Sequence, residues 1–391
     1  MNHRSIAVGA LVAACMVAFA AEAPKAVGKK SRKRHEEITG FYTGSVRRLE
    51  FEIKLGALER LREQPRTYVE ARLTEDGSSH KNVALKLKGS ASFQTMDRKP
   101  AMTLDFDKYK GTERFHGQKK LHLNNGVEDP SLLHEWMAGE IARVASVPAG
   151  RCTHALVKIN GRDKGLYVVR ESFTKDFLRE HFGETEGALF EGGLEGDLHE
   201  DMEMHAGGEK DREAIRQLIA ISSGPSEGRW EKLSQVLDVE AFARYLAFEQ
   251  VVDFSDGYDF GENNYRLYRH TATKRFHMIA HGMDETFRER EVSVMREPIC
   301  MMGRAFWAAP EGQQLYREKL IEIAAAVQKT DWVSRMAAKI AQIKLALADS
   351  GWEQERIREW ERHAEAAKDD LRARLESVAR QVADLPEPAA L

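Results

Sequence analysis

The sequence predicts an α+β protein of two unequal lobes, β-rich first and helical second, on three observations. Apolar and polar residues alternate from Gly44 to Phe106, the period of half-buried antiparallel strands. An Asn160-Gly161 pair separates two apolar runs, the strongest short hairpin signal. Beyond Pro310 apolar residues recur every three or four positions, which is the helical period.

The amino-terminal residues have another character. Met1 to Arg4 carries positive charge, Ile6 through Ala20 is apolar, and Ala21-Glu22-Ala23 presents small residues at a cleavable exit. Residues 1–23 are expected to be a removable secretion signal. The apolar run is shorter than the ~20 residues a membrane-crossing helix needs. Cys15 follows Val12-Ala13-Ala14, as in a lipoprotein signal, but the run continues past it through Phe19. The expected location is therefore secreted or periplasmic, in the cell envelope. Residues 24–40 hold Lys29, Lys30, Arg32, Lys33 and Arg34 and are read as a solvated basic linker. A domain over 41–300 follows, with a helical region over 301–391 packed on it.

Within the domain, Leu49, Phe51 and Ile53 alternate with charges, as do Val69 to Leu73, Val83 to Leu87 and Met102 to Phe106. Short strands are expected around Leu121 and Leu123, and Asp129-Pro130 signals a helix from Ser131 that ends at Val147-Pro148-Ala149-Gly150. Ala155–Ile159 and Gly165–Val169 flank the Asn-Gly turn. Phe173 to Phe182, Arg212 to Ser222 and Val239 to Val251 read as helices, with an acidic, glycine-rich stretch from Glu184 to Glu209 between the first two. Tyr265–Tyr268 and Phe276–Ile279 form a second hairpin. Trp332, Met336, Ile340, Ile343 and Leu347 make one helical stripe, and Ile357, Ala364, Leu371, Leu375 and Val378 another. Both are expected to bury against the domain, as are Trp136, Tyr167 and Phe173.

Composition removes several classes. Net charge is -3 and no basic bias persists after the linker, so a nucleic-acid partner is not expected. No second long apolar run exists, so no transmembrane span follows the signal. Cys152 and Cys300 alone remain after it, and one possible pair is no disulfide framework.

Three motifs fail on context. Gly224-Pro225-Ser226-Glu227-Gly228 spells a nucleophile elbow but lacks the strand before it. His199-Glu200 and His205 lack the spacing that puts two histidines on one helical face, and the segment reads as a polar loop. Asp259-Phe260-Gly261 spells the kinase metal triplet without an H-R-D element upstream.

One ordered series is more specific. It runs Leu87-Lys88-Gly89-Ser90-Ala91-Ser92-Phe93, Arg98-Lys99-Pro100-Ala101, Leu104-Asp105-Phe106, Phe115-His116-Gly117, Lys120 to Asn125, and Asp129-Pro130-Ser131 with Glu135. It continues through Ile159-Asn160-Gly161, Gly165-Leu166-Tyr167 with Glu171, Asp256-Gly257-Tyr258, Asn263 to Tyr268, and His281 to Phe287. This series resembles the CotH family of spore-coat protein H-like kinases, over about Val83 to Phe287. The resemblance implies an atypical protein-kinase-like fold that binds ATP with Mg²⁺ or Mn²⁺ and phosphorylates serine or threonine on secreted, envelope or coat proteins.

Phosphoryl transfer needs cations on the phosphates, a metal on oxygen ligands and a carboxylate near the attacking hydroxyl. Lys88 and Lys99 flank a Gly/Ser loop and suit phosphate oxygens. Glu135 would pair with one of them, and Glu171 is grouped with these nucleotide-site residues. By resemblance Asp256 is the catalytic aspartate and Asp284 the metal ligand, with Asn264 as a second; hard oxygen ligands suit Mg²⁺ or Mn²⁺. Many family members read W-D-x-D where this chain has His281-Gly282-Met283-Asp284, so one carboxylate is missing; a branch of the family shares the H-G-M-D form. Thr103 stands where others often have lysine. Two rival readings follow: a non-catalytic envelope assembly or binding protein that keeps the fold, and a transferase with another donor or acceptor.

Overall fold

A computed structural model describes residues 29–109, 113–193 and 196–386, so the expected secretion signal lies outside the described residues. The first part runs α1 (Lys29–Thr43), β1 (Arg47–Glu52), α2 (Leu55–Glu63), β2 (Val69–Glu75), β3 (Ser78–Leu87), β4 (Met102–Asp105), β5 (Lys120–Asn124), α3 (His134–Val144), β6 (Cys152–Ile159) and β7 (Arg162–Glu171). The strands close into a barrel in the order β1-β2-β3-β4-β5-β7-β6. Every pairing is antiparallel except β1 on β6, which is parallel and closes the ring. Alternation along each strand sorts the side chains. Leu49, Phe51, Leu73, Leu85, Leu104, Leu121, Val157, Tyr167 and Val169 share one core. Leu156, Leu166 and Val168 belong instead to a second core, with Trp136, Met137 and Ile141 of α3. The barrel wall thereby becomes the floor on which the rest of the chain is laid.

The second part runs α4 (Lys175–Phe182), β8 (Ala188–Glu191), β9 (Glu203–Ala206), α5 (Glu209–Ser223), α6 (Arg229–Val236), α7 (Val239–Val252), α8 (Tyr258–Gly261), β10 (Tyr265–Arg269), β11 (Phe276–Ala280), α9 (Met301–Trp307), α10 (Pro310–Val327), α11 (Trp332–Asp349) and α12 (Gln354–Ala383). β11-β10-β8-β9 form a four-stranded sheet. α7 is buried on nearly every face, as a central helix must be; the Asp238 carboxylate caps its start by accepting from the Ala241 amide at 2.9 Å. The stripes on α11 and α12 are buried in the same core as α7. No helix among the described residues is long and apolar enough to cross a membrane.

Three expectations change. The segment read as a solvated basic linker is helical from Lys29, and Ile38, Phe41 and Tyr42 of α1 are buried in the barrel core. Their i, i+3, i+4 spacing buries one face beneath a run whose lysines and arginines dominate the sequence. The acidic stretch after Glu184 supplies β8 and β9, so His205 lies on a strand. Glu171 also proves structural. Arg151 grips it with Nε to Oε2 at 2.8 Å and Nη2 to Oε1 at 2.7 Å, in a pair almost sealed from water. Neighbouring strand residues point to opposite faces, so the site-facing residue of that strand is Arg170, one position earlier.

The Arg151–Glu171 pair yields a prediction. Arg151→Met strands a buried carboxylate and should lower unfolding free energy by about 3–5 kcal/mol, read in urea titrations. A loss below about 1 kcal/mol would show that water reaches the pair.

Candidate functional site

The site forms where the outer barrel wall meets α3 and the loops after α7 and β11. Asp129 sets the α3 end: its carboxylate accepts from the amides of Ser131 and His134, each at 2.9 Å. Glu135, in the first turn, is thereby directed at the barrel and is 1% exposed. Lys88, just past β3, donates through Nζ to Asn124 Oδ1 at 2.5 Å. Asn124 Nδ2 donates onward to Glu135 Oε2 at 2.5 Å. The expected lysine–glutamate pair is therefore bridged by an amide. The direct cation on Glu135 is Arg170, whose Nε lies 3.4 Å from Oε1.

Asp284 stands close enough to Lys88 and Glu135 for each to act on its ionisation. Burial, then the Glu135 charge, pushes the Asp284 carboxyl up to about 7. Burial, then Arg170, draws the Lys88 ammonium down to about 8. His134 Nδ1 holds the Asp284 carbonyl at 3.2 Å. His122 and His281 are both driven well below their ordinary value, first by burial and then by neighbouring arginines, among them Arg170 and Arg266. The surroundings are electropositive. Buried nitrogens of Arg170 and Arg266 (Nε and Nη1 of each) and His281 Nε2 have no hydrogen-bond partner, an unusual state for buried donors. Both guanidinium groups lie over the Phe173 ring, at 5.5 and 5.3 Å.

Asp256 lies on the neighbouring loop. Asn263 Nδ2 reaches its Oδ1 at 3.1 Å, and Asn264 Nδ2 donates to its Oδ2. Burial raises the Asp256 carboxyl above its ordinary value, with Asn263 opposing. Asn264 turns its amide oxygen to Gly282, where a Cβ would overlap it, and the Ser255 hydroxyl donates to the Glu285 carbonyl at 3.3 Å. These contacts bind the Asp256 loop to the turn that carries Asp284. On α12, the buried Arg374 secures both loops: it donates to the carbonyls of Gln250 and Val251 at the end of α7, and to those of Arg290 and Val292 beyond Asp284.

Lys88, Glu135 and Asp284 thus stand together, and Asp256 and Asn264 lie on the adjoining loop, joined to the Asp284 turn at Gly282. Lys99 does not join them. Its ammonium lies 5.2 Å from the centre of the Tyr167 ring, and burial, then Arg356, lowers it to about 8. The sequence assigned no site role to Asn124, Arg266 and Asn263, which stand in the ordered series, or to Arg170, which lies outside it. Arg170 and Asn124 were legible in principle, because strand alternation puts them on the outer wall beside His122. Arg266 was not, because β8 and β9 were not foreseen. Asp259 of the rejected triplet is buried and receives Gln250 Nε2 at 3.3 Å, away from the cleft cations. Residues 224–228 form the loop between α5 and α6, as expected.

Among the described residues one group of three could hold a metal ion, Glu191, Glu203 and His205, with ligand atoms within 4.8 Å of one another. Its members already contact one another, His205 reaching both acids, and the Arg266 guanidinium Nη2 lies 2.7 Å from Glu191.

The chain is 26% identical over 189 residues to the inner spore coat protein H of Bacillus subtilis (strain 168), a match that covers 44% of this chain and 51% of that protein. The chain therefore matches about half the length of that relative. Among solved structures, the proinflammatory kinase CtkA of Helicobacter pylori is matched over 73% of this chain and 94% of that one, at 8% identity and a TM-score of 0.32. HipA, in the Shewanella oneidensis MR-1 toxin–antitoxin complex with HipB and operator DNA, is matched over 86% and 76%, at 12% identity and a TM-score of 0.30. At those scores neither superposition adds to the assignment. The decisive match is the family model described as CotH kinase protein, which runs from residue 85, near the end of β3, to residue 377 and so takes in Lys88, Glu135, Asp256, Asp284 and Arg374; the chain belongs to the CotH kinase family.

Proposed function

We propose that this chain is a kinase that transfers the γ-phosphoryl group of ATP to a serine or threonine hydroxyl of a protein in the envelope or outside the cell. The observation that carries this reading is the set of buried arginine nitrogens near Lys88: beyond the ion pairs of Arg170 with Glu135 and Arg266 with Glu191, Arg170 Nη1 and Arg266 Nε and Nη1 have no hydrogen-bond partner. Such donors suit phosphate oxygens and would recover the hydrogen bonds they lack. Lys88, held by Asn124, would meet the phosphates together with Arg170 and Arg266. Asp284 and the Asn264 amide oxygen are hard ligands for Mg²⁺ or Mn²⁺, which would supply charge neutralisation on the phosphates. Asp256, kept in direction by Asn263 and Asn264, is suited to take the proton of the acceptor hydroxyl. The new bond joins that oxygen to the γ-phosphorus, and the bond to the β-phosphate oxygen breaks with ADP as leaving group. The coat location of the Bacillus relative supports an acceptor in a coat or envelope.

One observation favours the rival, a non-catalytic envelope assembly protein. The 281–284 turn carries a single carboxylate, with Gly282 against Asn264. Nucleotide binding and transfer separate the two. The full chain should bind ATP with Mn²⁺ in calorimetry, and Lys88→Met should weaken that binding at least about tenfold, near 1.4 kcal/mol. Asp256→Asn should keep the affinity and lose about 10²- to 10⁴-fold in transfer of labelled γ-phosphate. Binding without transfer by the wild type would support the assembly reading.

A pH dependence follows from Asp284. Its folded-state pKa, about 7, lies above the ordinary carboxylate value. The folded chain thus holds a proton that the unfolded chain releases earlier, and the stability this contributes is lost as pH rises through about 7. A metal–nucleotide complex selects the ionised form. The thermal shift it produces should therefore grow between about pH 6 and about pH 8, and Asp284→Asn should abolish that growth. An equal shift at both pH values would remove Asp284 from the metal site.

A further inference from the structure

Glu249, wholly buried on α7, does not face the cleft. Its carboxylate is spent on backbone: the Tyr258 amide donates to Oε1 at 2.8 Å and the Asp259 amide to Oε2 at 3.0 Å. These two amides follow Asp256 by two and three residues. Between them and Asp256 stands Gly257, whose φ of -82° demands no glycine. A Cβ there would nevertheless overlap Glu249 Oε1 and the Phe254 ring. The glycine is needed to admit the carboxylate.

A buried carboxylate costs several kcal/mol that an apolar side chain would not. Its neighbour adds to the cost: burial first, and then the buried Asp259 carboxyl, raise Glu249's hold on a proton. What a carboxyl group so placed holds is the turn that presents Asp256.

We propose that Glu249 is a positioning residue that clamps the turn after Asp256 and so fixes the direction of the Asp256 carboxylate toward the acceptor hydroxyl. This rests on the kinase reading above. Asn263 and Asn264 orient the Asp256 side chain from one side, and Glu249 fixes its backbone from the other. The nucleotide end of the cleft is built on α3 and β3 to β7, not on this turn. Loss of the clamp should therefore appear in transfer and not in nucleotide affinity.

The test uses the full chain with two variants that reach the clamp from opposite sides. Glu249→Gln keeps the volume but sets an NH₂ group against an amide donor. Gly257→Ala drives a methyl group into the carboxylate, and stands in if the first variant does not fold. In each, hydrogen exchange at the amides of Tyr258 and Asp259 should quicken at least about tenfold while the rest of α7 keeps its protection. The kcat should fall about 30-fold, with KM for ATP and the calorimetric ATP–Mn²⁺ affinity within about threefold of wild type. If kcat per nucleotide-binding molecule stays within about twofold of wild type in both variants, the clamp has no part in transfer. If kcat, nucleotide affinity and thermal stability fall together, the role is structural and the proposal is overturned. A wild type that binds no nucleotide overturns the kinase reading; a wild type that transfers phosphate at the rate of both variants overturns the clamp alone.

Discussion

The Glu135 carboxylate is buried at the seam between the barrel wall and the helical lobe, and the cleft is organised around it. Removing a carboxylate from water is expensive unless cations and donors replace the lost hydration. Arg170 supplies the charge from β7, and Asn124 supplies a hydrogen bond from β5. Asn124 cannot turn its nitrogen to Glu135 without turning its oxygen away, and that oxygen is what orients Lys88. One buried acid on α3 therefore fixes side chains on two strands, β5 and β7, and a third just past β3. Asp129 holds the first turn of α3 so that the acid meets them.

The opposite wall of the cleft is built on α7 and tied to α12. Asp256 and Asp284 lie on loops that leave α7 and β11, and Arg374 binds the carbonyls at the start of one and the end of the other. Its guanidinium, wholly buried, spends its hydrogen bonds on backbone, which suits a planar five-donor fork. The helical region is thereby part of the site and not an appendage, in agreement with a family match that extends through α11 and most of α12.

Much of this was legible in the sequence, and the failures have physical causes. Period-two alternation marked the barrel strands because each presents one face to a core, and Asn160-Gly161 marked the β6–β7 turn because both residues take positive φ. β8 and β9 escaped notice: each is only four residues long, and β9 is largely exposed, so no alternation develops. α1 was hidden by its charge, since three buried residues are hard to see among so many basic ones. Choosing Glu171 over Arg170 was a one-residue slip on a strand with polar groups on both faces. Lys88, Glu135, Asp256, Asn264 and Asp284 were given roles from the ordered series, whereas Asn124 and Arg266, which stand in the same series, gained a role only when strand pairing set them beside those residues.

The central claim is that the cleft lined by Lys88, Glu135 and Asp284 takes a metal–triphosphate. A crystal structure of the full chain grown with Mn²⁺ and a non-hydrolysable ATP analogue tests it most directly, because manganese is located by its anomalous signal. A manganese peak bonded to an Asp284 carboxylate oxygen is expected, with phosphate oxygens in contact with Lys88, Arg170 and Arg266. A peak confined to Glu191, Glu203 and His205, with no nucleotide in the cleft, would contradict it.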